Sequence, residues 1–201
     1  TGRPRFAVMR LDTMLQATIT GTAAVVRGVR PDQWELATPC PDWDVRALTN
    51  HLLQVAAALE LSGAGQAVPG ELWSQDLVTG DWSGRFDGYA ERAVTAWAGP
   101  PDSVSFGDTD LPGPLVLTML ASDLVIHGWD LARATGQDYR PGDGAAAMAE
   151  QFVAQTGEQG RQMGIFAEAR PAGEDATPLD RALAGSGRDP RWSPIPVGGS
   201  R

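Results

Sequence analysis

Apolar residues recur every three or four positions along four long stretches of the chain, at residues 11–29, 44–61, 85–98 and 112–136. This spacing is the period of an amphipathic α-helix and predicts four main helices. The second stretch begins with an aspartate, a favoured N-cap residue. The fourth ends at Gly136, and glycine is the usual residue just after a helix C-terminus.

The remaining segments carry weaker or different patterns. Residues 66–84 contain Gly, Trp and Asp without a clear period and predict a long loop, whereas residues 103–110 alternate enough to allow a short strand. An alanine-rich fifth helix is predicted at residues 142–159. A short helix at residues 178–184 is expected within an extended C-terminal tail, residues 168–201.

Four main helices with short to medium connections predict an all-α fold, a four-helix bundle with an extra C-terminal helix and the extended tail. The length of 201 residues fits a single domain, residues 1–201. Residues 1–10 are interpreted as a start that is either disordered or left from cloning. No apolar run reaches the roughly 18 to 20 residues of a membrane span.

The composition narrows the classes of function. A formal net charge of -9 argues against nucleic acid and anionic membranes as partners. All 16 basic residues are arginine, which excludes lysine-dependent Schiff-base chemistry and a P-loop. The single cysteine, Cys40, fits a reducing cytoplasm. Its thiol is either a small group that packs a turn or a reactive nucleophile.

The candidate chemistry centres on the two histidines of the chain. Asp123 precedes His127 by four residues and Asp130 follows it by three, so all three share one face of the fourth helix. His51, on the second helix, is the natural partner. His51, Asp123 and His127 together would form a three-ligand site for a divalent metal with an open coordination position.

Other interpretations of these polar residues stay open. The two histidines could be buried and hydrogen-bonded without a metal. Asp130 either orients His127 as a hydrogen-bond acceptor or holds a neighbouring helix. Trp73 and Trp82, in the predicted long loop, either line a pocket or pack over one end of the bundle.

Several segments of the sequence resemble one protein family. Residues 38–51 read TPCPDWDVRALTNH and residues 127–136 read HGWDLARATG. These segments, with PLDRALA at residues 178–184 and GRDPRW at residues 187–192, resemble the DinB-like superfamily and, more narrowly, its mycothiol-dependent maleylpyruvate isomerase branch. The resemblance spans about residues 11–192 and is specific for the family, although not for one reaction.

The resemblance implies a bundle of up-down-down-up topology that holds a divalent metal through His51, Asp123 and His127. Zinc is the first candidate for this metal and nickel is the second. In the isomerase a glutamate occupies the position of Asp123, and in many relatives a histidine does. The isomerase also has a separate C-terminal domain that contributes to its active site. That domain is expected to be missing here, so maleylpyruvate isomerisation itself is not expected.

The function predicted from these observations is a metal-dependent transferase or isomerase that uses the low-molecular-weight thiol mycothiol on a small electrophile. No residue beyond the ligands is assigned as a general acid or base. The alternatives are a non-catalytic bundle that binds a metal or small ligand, as a sensor or sequestration protein, and a structural bundle without metal. The resemblance also implies a homodimer.

Overall fold

The computed structural model describes residues 5–194, with side chains from residue 13 onward. Residues 1–4 of the interpreted start and residues 195–201 of the predicted tail lie outside the described residues. The described chain is mainly helical, which confirms the all-α class, but it also contains a small two-stranded sheet. The helices are α1 (Arg5–Gly28), α2 (Val45–Gly63), α3 (Trp82–Trp97), α4 (Gly113–Thr135), α5 (Asp143–Gln162) and α6 (Pro178–Gly185).

The first four helices form a closed ring in which each helix packs against two of the others. α1 packs against α3 and α4, and α2 packs against the same two helices. α5 lies against α4, and α6 lies against α5. The C-terminal helices therefore extend the packed core from the side of α4.

α4 is the most apolar helix and lies at the centre of this packing. It is the described helix that is long and apolar enough to cross a membrane, but 78% of its apolar window is buried by the rest of the chain. Burial of this kind is typical of the core helix of a soluble protein. The few polar side chains on α4 are therefore held within an apolar environment.

The helix ends follow the capping signals. The carboxylate of Asp44 accepts a hydrogen bond from the backbone N–H of Ala47 at 2.8 Å, which confirms the predicted N-cap of α2. Gly136 ends α4 in the left-handed conformation, with φ of 71°, as predicted. A residue other than glycine would be strained at this φ because of its Cβ atom.

The prediction of one long loop at residues 66–84 is wrong in two places. A 3-10 helix occupies Gly70–Ser74, and α3 begins at Trp82 rather than at residue 85. The helix begins early because Asp81 accepts a hydrogen bond from the backbone N–H of Gly84 at 2.9 Å and so caps it.

The prediction of a short strand near residues 103–110 is confirmed, and the segment forms a complete hairpin. β1 (Ser103–Phe106) pairs antiparallel with β2 (Thr109–Pro112). Gly107 provides the positive φ of the turn, 60°. The hairpin leads directly into α4 and so positions the start of the helix that carries the candidate ligands.

Candidate metal centre

Three side chains from two helices converge at the candidate site. The ring nitrogens of His51 on α2 and His127 on α4, together with a carboxylate oxygen of Asp123 on α4, all lie within 4.8 Å of one another. His51 Nε2 is 2.7 Å from Asp123 Oδ2, and His127 Nε2 is 3.4 Å from Asp123 Oδ1. The helical spacing of four residues places the two α4 side chains one turn apart on the face that meets α2.

A second carboxylate orients one of the histidines. Asp130, which is fully buried, accepts a hydrogen bond from His127 Nδ1 at 2.9 Å through its Oδ2 atom. Of the two interpretations left open for Asp130, the structure shows the contact with the imidazole, and the same oxygen also accepts from an arginine. A carboxylate in this position is the usual partner of a metal-binding histidine, since it fixes both the tautomer and the ring orientation.

Asp130 is itself held by a cation from the C-terminal part of the chain. Arg188 donates to Asp130 Oδ2 from Nε at 3.3 Å and from Nη2 at 3.1 Å, and its Nη1 donates to the carbonyl of Ser186 at 3.1 Å. Burial acts to lower the pKa of Arg188, but the adjacent carboxylate raises it overall, so the guanidinium stays charged. Both charges are thereby paired inside the protein.

The orientation of His127 fits a cation between it and Asp123. When Nδ1–H donates to Asp130, a neutral His127 presents the lone pair of Nε2 to Asp123 Oδ1. Burial lowers the pKa of His127, although the two carboxylates partly oppose this change, so the ring is neutral at pH 7. Two acceptors that face each other repel unless a positive charge lies between them. This arrangement therefore fits a divalent metal ion.

The charge state of Asp123 also fits this role. Burial acts to raise its pKa, but His51, His127 and the hydrogen bond from His51 together bring the pKa down to about 2. The carboxylate is therefore ionised at neutral pH. Two imidazoles and one carboxylate are a donor set typical of catalytic zinc, in which three protein ligands leave a fourth position for water or substrate.

Aromatic side chains enclose the triad formed by His51, Asp123 and His127. The ring of Trp43 lies 4.5 Å from that of His51 and 5.1 Å from that of His127, measured between ring centroids. Trp73 lies 6.1 Å from His51 on the same measure. These rings place apolar surface beside the triad, and the lower local dielectric strengthens its electrostatic interactions.

Two spaces meet at the triad. The first, which we call the triad cavity, has a volume of about 420 Å³ and is bordered by all three candidate ligands. The second, which we call the outer cleft, has a volume of about 560 Å³ and is bordered by Trp43, His51 and Trp73. Trp43 and His51 line both spaces, so a molecule in either one lies beside the same imidazole.

The remaining predicted residues lie at different places. Trp73 lines the outer cleft. Trp82 is not among the residues that line either space; it packs edge-on against Trp34, with 5.1 Å between ring centroids. Cys40 is half-buried and lines the triad cavity, where burial raises the pKa of its thiol despite the nearby Arg188. A protonated thiol is a weak nucleophile.

The place of the C-terminal segment could not be predicted from the sequence. Residues 164–167 and 186–188 form one wall of the triad cavity, and Arg188 is the buried partner of Asp130. The available signal was Asp130 itself. A carboxylate within an apolar helix requires a cationic or hydrogen-bonding partner, and Arg188 lies in one of the segments that carry the family resemblance.

Three comparisons relate this chain to known proteins. The sequence model of the family described as "Mycothiol maleylpyruvate isomerase N-terminal domain" matches residues 15–132, a range that contains all three candidate ligands. Two Mycobacterium tuberculosis proteins, "Uncharacterized protein MT0763" of strain CDC 1551 / Oshkosh and "Uncharacterized protein Rv0738" of strain ATCC 25618 / H37Rv, are each 30% identical to this chain. Each alignment covers 174 residues, 84% of this chain and 92% of the relative. No solved structure gave a significant match.

Proposed function

Since the chain belongs to the family of the mycothiol maleylpyruvate isomerase N-terminal domain, we propose that it is a metal-dependent transferase or isomerase that joins mycothiol to a small electrophile. The observation that carries this proposal is the pair formed by His127 Nε2 and Asp123 Oδ1. These two acceptors face each other at 3.4 Å while the opposite ring nitrogen is committed to Asp130. A divalent cation satisfies both.

In this proposal the cation is held by His51, Asp123 and His127. Zinc is the first candidate for its identity and nickel is the second. When bound, the cation supplies Lewis acidity that lowers the pKa of a thiol and so yields a thiolate near neutral pH. Three further side chains of this protein support the site. Asp130 keeps His127 in the tautomer whose Nε2 is free, Arg188 balances the charge of Asp130, and Trp43 packs its ring against that of His51.

The two spaces at the triad support a reaction between two molecules. Their volumes, about 420 and 560 Å³, each lie within the range of small-molecule sites. We assign one space to the thiol and the other to the electrophile, on either side of the shared residues Trp43 and His51. The sulfur would then attack the electrophilic carbon beside the triad, and holding both reactants there lowers the entropic part of the barrier.

The helix packing supports the bundle topology that the resemblance implies. α1 and α2 each contact both α3 and α4, so the four helices close a ring. We propose that this ring is the up-down-down-up bundle of the DinB-like superfamily. The triad then bridges two helices within the bundle, as is common for metal sites in this fold class.

The alternative is a non-catalytic protein that binds a metal or a small ligand. It is favoured by the ion pair between Asp130 and Arg188, which leaves neither side chain free to act as a general acid or base. Thiol consumption separates the two functions. A catalytic site turns over an electrophile in the presence of mycothiol, whereas a sequestration site binds without turnover.

The first test is the metal content of the tag-free protein by inductively coupled plasma mass spectrometry. We expect near-stoichiometric zinc or nickel in the parent and its loss in His127→Ala. Asp138→Asn is a matched control, because Asp138 is an exposed carboxylate just beyond α4. If neither parent nor variant binds metal after incubation with zinc, the three-ligand proposal is wrong. Loaded protein is then assayed for electrophile-dependent loss of free mycothiol.

A further inference from the structure

We infer that the electrophile used at this site is an uncharged, hydrophobic small molecule rather than a dicarboxylate. This inference rests on the proposed function, because it names the substrate class of the same site. It starts from Ile165, which lines the triad cavity while 63% of its surface is exposed. An isoleucine at the edge of a cavity offers apolar surface to whatever enters.

The wall of the triad cavity around Ile165 is also mainly apolar. A volume of about 420 Å³ holds a compact organic molecule, and sites of this size bind mainly through apolar contacts. Apart from the triad, most of the wall is apolar. Its apolar members are Pro39, Pro41, Trp43, Ile126, Ile165, Phe166 and Ala167.

The charges of the cavity argue against a dianionic ligand. Arg188 is the one arginine among the described residues that line it, and its guanidinium is already bonded to Asp130 and to the carbonyl of Ser186. Asp42 adds an exposed negative charge to the lining. A carboxylate of the substrate would therefore enter without a free side-chain cation to bind it, and its loss of hydration would be uncompensated.

The test reaction is a substitution in which the atoms balance. With benzyl chloride, the sulfur of mycothiol forms a bond to the benzylic carbon as the carbon–chlorine bond breaks. Chloride leaves with the electron pair, and the proton of the thiol passes to solvent. 4-(Chloromethyl)benzoate has the same reacting carbon and differs by one carboxylate, so the pair isolates the effect of charge.

Each rate is divided by the uncatalysed rate with the same thiol. We expect the enhancement for benzyl chloride to exceed that for the benzoate by about tenfold, the cost of placing an unpaired charge in the cavity. Equal enhancement, or a preference for the benzoate, overturns the inference. Absence of thiol consumption with every electrophile counts against the proposed function instead, and the substrate class is then decided by binding alone.

Binding of unreactive analogues is measured by calorimetry on metal-free protein. We expect 2-naphthalenemethanol to bind more tightly than 2-naphthoate. Ile165→Asp should weaken binding of the alcohol by about fivefold or more, because it removes apolar contact area. Met163→Asp is the control, since Met163 is equally exposed, at 66%, but is not among the residues that line the triad cavity. Equal effects of the two substitutions, or none from Ile165→Asp, would contradict the inference.

Discussion

At the scale of single residues, the geometry of the site depends on Asp130. Its Oδ2 atom accepts hydrogen bonds from His127 Nδ1 and from the guanidinium of Arg188, and the residue is fully buried. A buried ion pair is costly to break from one side, because the remaining charge has neither water nor a partner. Once one member has been removed, removal of the second should therefore cost less than it does in the parent.

We expect Asp130→Asn and Arg188→Met each to lower the free energy of unfolding by about 3 kcal/mol. The double variant should lose about 1 to 3 kcal/mol less than the sum of the two. Urea unfolding of the parent, the two single variants and the double variant measures this coupling. Additive losses would mean that the two side chains do not stabilise each other.

His127 predicts a specific pH dependence in the metal-free protein. Burial lowers its pKa from the ordinary 6.5, so below that pH the unfolded chain binds a proton more readily than the folded chain. Stability contributed by neutral His127 is therefore present above pH 6.5 and is lost on acidification. Asp123, with a pKa of about 2, stays ionised throughout this window.

His127→Asn keeps a side-chain N–H for Asp130 but cannot titrate. We expect the difference in unfolding free energy between the parent and this variant to narrow from pH 7 to pH 5, because acid destabilises only the parent through this residue. Urea unfolding in the presence of a chelator at both pH values measures the difference. A difference that widens on acidification would show that the folded state instead favours the imidazolium.

At the scale of elements, α4 must accept a close neighbour directly beside a candidate ligand. Tyr139, after the end of α4, returns to the helix and donates its hydroxyl to the carbonyl of Leu124 at 3.2 Å. A Cβ atom at Gly128 would lie 2.7 Å from that hydroxyl and 2.8 Å from the nearest ring carbon. Glycine next to His127 therefore reflects packing rather than flexibility.

We expect Gly128→Ala to destabilise the protein by about 1 to 3 kcal/mol, because the ring of Tyr139 must move. Gly88→Ala in α3 is the matched control. A Cβ atom there meets only the end of the flexible Arg92 side chain, at 3.1 Å, so the helix propensity of alanine should stabilise by about 0.5 to 1 kcal/mol. Thermal unfolding of both variants tests the contrast, and stabilisation by both would refute the steric argument.

Among the elements, the sequence could predict those helices whose ends carry local signals. The helical period and the caps Asp44 and Gly136 defined α2 and α4 closely, since these signals are local. A spacing of four likewise placed Asp123 beside His127. The early start of α3 was missed because residues 66–84 were interpreted by composition, although Asp81 carried a capping signal.

At the scale of the whole molecule, the site is completed by parts of the chain that no periodicity connects. The loop before α2 contributes Trp43, and the segments before and after α6 contribute Ile165 and Arg188. Arg188 lies well outside the range of residues 15–132 that matches the family. Local patterns predict which elements form, whereas the closure of this cavity depends on how the C-terminal segment packs back against them.

Because the candidate ligands come from α2 and α4, a bound metal should stabilise the fold as a whole. The unfolded chain does not hold His51 near Asp123 and His127, so binding energy adds to the free energy of unfolding. At a zinc concentration of 100 times the dissociation constant this is about 2.7 kcal/mol. For a chain of this size the midpoint of thermal unfolding should then rise by roughly 5 to 10 °C.

The measurement compares chelator-stripped protein with and without added zinc. Asp123→Asn should lose most of the thermal shift, because a neutral amide is a poor ligand and leaves only two nitrogens at the site. Asp138→Asn, an exposed carboxylate outside the triad, should keep the shift in full. If both variants keep it, zinc binds elsewhere on this acidic surface. If the parent shows no shift, the three-ligand proposal is wrong, and a protein that binds a small organic ligand or a structural bundle without metal becomes the better account.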